Sequence, residues 1–113
     1  MSSDNIWWIQ IWEVKPESVE THEALQEKLL EWSYRENPQM KDRLGYFKLN
    51  EDGKELRMLV KPGFKDMEEI DELMKEAHKD KVYMKMLDDV NACQVEGSWQ
   101  SRFWINGVPE KLR

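Results

Sequence analysis

The stretch Ile6 to Val14, Ile-Trp-Trp-Ile-Gln-Ile-Trp-Glu-Val, constrains this chain more than any other. It carries Trp7, Trp8 and Trp12, half of the chain's six tryptophans, with Gln10 in its middle. Its β-branched and aromatic content predicts a strand, in which alternate side chains point to opposite faces. One face is Ile6, Trp8, Gln10, Trp12 and Val14; the other is Trp7, Ile9, Ile11 and Glu13. Both are apolar, so both call for cover, which marks a central strand rather than an edge. Burying one Trp removes roughly 150–250 Å² from water, a gross gain of about 4–6 kcal/mol.

The remaining composition narrows the partners. Seventeen Lys and Arg stand against 23 Asp and Glu, a net charge of −6, so neither nucleic acid nor an anionic membrane surface is an expected partner. The start of the chain shows no basic segment leading into an apolar run, which speaks against a signal peptide or membrane span. The single cysteine, Cys93, leaves no internal disulfide or multi-cysteine zinc site and suits a cytoplasmic location. At 113 residues the chain reads as one domain, 1–113, able to bury a core.

Local signals order the rest. Pro16 stops the first strand and Ser18 caps a helix running to about Glu36, with His22, Leu25, Leu29 and Trp32 as its inward stripe. Glu20, Glu23, Glu27 and Glu31 read as its solvated side. Asn37-Pro38 ends it. Leu44–Leu49 and Lys54–Lys61 form a hairpin around Asp52-Gly53, stopped by Pro62-Gly63. Asp66, with Glu69 three residues on, starts a second helix whose inward face is Met67, Ile70, Met74 and Ala77. The stripe loses phase near Lys79–Lys81, so a break is expected. A further helical piece, about Val82 to Ala92, turns Val82, Met86, Val90 and Cys93 inward. Ser98–Ile105 is the last strand.

The order is therefore β-α-β-β-α-α-β. Right-handed crossovers place the helices on one face of a four-stranded antiparallel sheet, the ferredoxin-like α+β architecture. The other sheet face then lacks cover from its own chain. A homodimer with sheet-to-sheet packing is the expected solution.

This order, Lys15-Pro16 after the first strand, the hairpin, and Glu76-Ala77-His78 followed by Tyr83-Met84-Lys85 resemble the dimeric α+β barrel superfamily, and within it the antibiotic biosynthesis monooxygenase domain. The resemblance implies a dimeric barrel with a pocket between sheet and helices. Members include cofactor-free oxygenases of aromatic compounds and haem-degrading monooxygenases. Gln10 falls where the haem-degrading branch has an Asn, and His78 matches its helical axial ligand locally. Phe64 stands where a Trp is common, and Glu68 lies near the place of the Trp expected before the axial His.

The candidate site follows from both readings. Gln10 is either a donor to a ligand oxygen or a satisfied core amide. His78 is either a base, a haem ligand or an exposed helical His. Trp8, Trp12, Phe64 and Tyr83 are the candidate substrate-binding residues for a small hydrophobic or aromatic molecule, with Tyr83 a second candidate base; the bland alternative is that they fill the core. Arg102 and Gln100 are further polar handles or edge residues. The two His residues, with no acidic cluster, make no metal site. Three functions remain open: a cofactor-independent monooxygenase, a haem-binding or haem-degrading protein, and a dimeric binding protein without catalysis.

Overall fold

The computed structural model describes residues 6–38, 44–105 and the backbone of 108–109. Strand β1, Ile6–Val14, leads through a 3-10 turn at Pro16–Ser18 into α1, Val19–Glu36. Strands β2, Gly45–Glu51, and β3, Lys54–Phe64, follow, then α2, Met67–His78, α3, Lys81–Asn91, β4, Gln100–Ile105, and β5, Val108–Pro109. The sheet is antiparallel in the order β2-β3-β1-β4-β5. Its first four strands have the ferredoxin-like arrangement, with β1 central as its two apolar faces required. The two-residue β5 was not expected, although Asn106-Gly107 ahead of it is a hairpin signal in the sequence.

Local chemistry explains most boundaries. Asp52 and Gly53 both have positive φ, 53° and 77°, the geometry of a two-residue hairpin turn. Asp66 Oδ1 accepts from the Glu69 amide at 2.9 Å, and Glu69 answers by accepting from the Lys65 amide at 2.9 Å. The expected break between α2 and α3 is made by Asp80, whose carboxylate accepts from the amides of Val82 and Tyr83.

Four expectations need correction. Pro62-Gly63 does not end β3. Trp8 pairs with Lys61 but Ile6 with Phe64, so β3 spends one extra residue on a bulge that absorbs Pro62 and Gly63, the latter at φ 90°. Strand β4 begins at Gln100, because the Ser98 hydroxyl is already occupied, accepting from the Glu13 amide and donating to the Val95 carbonyl. On α3 the inward residue is Tyr83, not Val82, which is 62% exposed; the Asp80 cap sets the helix so that the Tyr83 ring packs at a tilt on Trp32 of α1, ring centres 4.7 Å apart. Met67 is likewise exposed, and Ile70 opens the buried side of α2.

On the helix-covered face the core forms three clusters. Ile6, Trp8, Phe64 and Ile70 pack at one end of the sheet, Trp12, Val14 and Leu59 at the other, and Leu29, Tyr83 and Val90 between the helices. The opposite face carries Trp7, Ile9 and Ile11 of β1 beside Leu56, Met58 and Val60 of β3, with Phe47 and Leu49 of β2 beyond them. None of these joins a cluster, and Phe47 and Leu49 are each 48% exposed.

Candidate functional site

The three clusters do not fuse, and a hollow of about 490 Å³ lies where they meet. Trp8, Gln10 and Trp12 of β1 form its floor with Leu59 and Lys61 of β3. Gln26, Leu29 and Ser33 of α1, Met74 of α2, and Tyr83 and Leu87 of α3 close it from above. A second hollow of about 500 Å³ adjoins it and shares Ser33, Leu44, Lys61, Met74 and Tyr83. Each has the size of a small-molecule site.

The floor is pinned by its indole nitrogens. Trp8 Nε1 donates to Ser101 Oγ at 2.7 Å, and its ring stacks beside Phe103. Trp12 Nε1 donates to His22 Nε2 at 3.0 Å. Both N–H groups are thereby used, leaving the ring faces as apolar surface. Gln10 and the almost fully buried Gln26 also line the hollow. Neither amide has a side-chain hydrogen-bond partner among the described residues, so both are available to a ligand.

Lys61 is the sharpest polar feature. Its Nζ sits 4.6 Å from the centre of the Trp8 ring, a cation–π distance. It makes no ion pair with any described residue, although it lines both hollows. Burial pushes its amine down to about 8.

A polar network braces the end of the hollow near Trp12. An indole N–H only donates, so His22 Nε2 must accept. That puts the ring proton on Nδ1, which donates to Glu23 Oε1 at 3.1 Å. Burial holds the fully buried His22 imidazole below its ordinary pKa, against the pull of Glu23. Glu23 also accepts from Arg57 Nε at 2.6 Å and from the Tyr46 hydroxyl, and pairs with Lys48. Burial alone would raise the Glu23 carboxyl; the donors, Arg57 foremost, outweigh it and hold the group at about 2. Glu23 is therefore the hub of a part-buried network, not part of a solvated face as the helix pattern suggested.

The sequence candidates separate on this geometry. Trp8, Gln10, Trp12 and Tyr83 come together around the hollow. Phe64 is buried against Ile6 and Ile70 and lines neither hollow. His78 is exposed at the end of α2 and also lines neither. Arg102 and Gln100 pair across from Ile9 and Ile11, which places them on the face opposite the hollow. Lys61 and Gln26 were missed. Period-two alternation did carry the signal: Arg57, Leu59 and Lys61 share the face that points at the helices.

The haem arrangement does not fit. It needs a helical His directed into the hollow, whereas His78 lies outside it and His22 has both ring nitrogens engaged. Among the described residues no group of three or more His, Cys, Asp or Glu is gathered to hold a metal ion. No described helix is long and apolar enough to cross a membrane.

The fold has counterparts among solved structures. A NIPSNAP family protein of unknown function from Agrobacterium tumefaciens superposes with a TM-score of 0.74 at 11% identity, over 93% of this chain and 90% of its own. A second NIPSNAP family protein from that organism gives 0.69 at 12% identity, over 96% and 91%. A conserved protein from Methanosarcina mazei gives 0.61 at 17% identity, over 91% and 93%. The chain shares their fold. At such identities the likeness carries the ferredoxin-like α+β architecture and no activity. No protein-family model matches the sequence, and no curated protein matches it.

Proposed function

We infer that this protein binds a small aromatic or hydrophobic molecule in the hollow between sheet and helices, and does so as a homodimer. The observation that carries the reading is the hollow itself. A monomer core of this size closes on its own side chains, yet here two indole faces, two available amides and an amine surround open space. Those features suit a flat ligand bearing one or two polar oxygens. The resemblance to antibiotic biosynthesis monooxygenases makes cofactor-independent oxygenation the reaction to test at this site.

The dimer rests on the other sheet face. Phe47, Leu49, Leu56, Met58, Ile11 and Trp7 make an apolar surface there, and the Trp7 indole nitrogen is buried without a hydrogen-bond partner among the described residues. A second copy packed against it removes that surface from water.

Quenching of tryptophan fluorescence by a panel of naphthols, anthrones and quinols tests binding, and oxygen uptake with the same panel separates binding from turnover. Quenching lost in Gln10→Leu, with the fold intact by circular dichroism, is the expected result. A panel that leaves the fluorescence and the melting temperature unchanged refutes the binding reading.

A further inference from the structure

Lys61 is an amine with an unusual setting. It sits where the two hollows join, above the Trp8 ring, with no described carboxylate bonded to it. The wall of the outer hollow, by contrast, is predominantly acidic: Glu36 of α1, Glu69, Glu72 and Glu76 of α2, and Asp80 ahead of α3 all line it, with Glu72 and Glu76 paired to Lys75 and Lys79. A preformed anion approaching Lys61 through that opening meets like charge, on a chain of net charge −6. A neutral molecule does not.

Resting on the ligand-binding reading above, we propose that Lys61, as its ammonium, is the counter-ion for a neutral weak acid of the phenol class, which enters un-ionised, lies against Trp8 beside Gln10, and ionises only inside the hollow. The ligand's O–H bond breaks and its proton passes to water, while the ammonium keeps its own three. The oxygen keeps the electron pair. The product is an ammonium–phenolate pair, neutral as a whole, and costs less to bury than either ion alone. The Gln10 amide can donate to the same oxygen. Desolvation holds the amine at about 8, so at neutral pH it is an ammonium without a described counter-charge, and the phenolate supplies that charge once the pair is made. The aromatic floor supplies the stacking surface that selects a phenol over an aliphatic acid.

The test uses 4-nitrophenol and its non-ionisable analogue 4-nitroanisole with the full chain. Tryptophan quenching reads binding of both, and the yellow phenolate band, titrated against pH, reads the ionisation of bound 4-nitrophenol. In the wild type the bound probe should ionise about one pH unit or more below the free probe, the effect of an adjacent opposite charge. In Lys61→Met, which keeps Tyr83 and all five carboxylates, it should ionise at or above the free value. Bound 4-nitrophenol that ionises at or above the free value in the wild type overturns the proposal and leaves the binding reading standing, as does a shift that Lys61→Met retains. Failure of both probes to quench overturns the two together. The wild-type titration decides by itself if the variant does not fold.

Discussion

Replacing Lys61 with Met should make the folded protein more stable, not less. The amine ionises at about 8 in the folded chain, against 10.5 for an ordinary lysine. At about 1.4 kcal/mol per pH unit, the folded state gives up about 3 kcal/mol at neutral pH to keep this group charged. Lys61 is only half-buried as a residue, so that figure is an upper bound. Methionine has a similar length, needs no counter-ion, and replaces the cation–π contact with a sulfur–aromatic one over Trp8. The sign of the pH dependence follows from proton binding. Between about 8 and 10.5 the unfolded chain holds the Lys61 proton and the folded chain does not, so wild-type stability rises with pH across that window. Urea unfolding of both proteins at pH 6 and pH 10, at one protein concentration and with matching slopes, measures the difference. The variant should gain up to about 3 kcal/mol at pH 6 and most of that advantage should be gone at pH 10. A variant less stable at pH 6, or a gap equal at the two pH values, refutes the reasoning.

The other predictions concern the network and the outer face. Glu23→Gln should cost about 3 kcal/mol, because it leaves Arg57, 2% exposed, with Glu55 as its only carboxylate among the described residues. The Glu23 carboxyl is held near 2, so its contribution is present above about 4.5 and lost as pH falls toward 2. Acid unfolding should accordingly flatten in the variant; curves that run parallel to wild type between pH 5 and 2 count against the network. Ile11→Lys at the middle of the outer face should halve the sedimenting mass while the circular dichroism spectrum persists. A wild-type protein that already sediments as one chain at high concentration removes the dimer.

The candidate site was half legible in the sequence. Trp8, Gln10 and Trp12 were found because alternation along one strand needs no knowledge of its neighbours. Tyr83 was named from the resemblance, while its helix was assigned the wrong inward residue, Val82. A helical stripe one position out of phase is equally apolar here, and the Asp80 cap and the Trp32 ring together decide between the two. His78 and Phe64 looked alike as site residues but part company once α2 is placed, one to solvent and one to the core.

Elements whose cause is local were set by the sequence alone: the central strand with two apolar faces, the Asp52-Gly53 hairpin, and the helix starts at Asp66 and Asp80. The turn and the helix starts depend on backbone geometry and hydrogen bonds within a few residues, and the strand on its own alternation, although its ladder partners lie far along the chain. What only the tertiary structure decided is which distant groups meet. Lys61 comes to lie over Trp8, Glu23 meets Arg57 and Tyr46, and three apolar clusters stop short of one another. Burial, ion pairing and open space are properties of neighbours in three dimensions, and a charged side chain reads the same along the chain whether water or an indole will surround it.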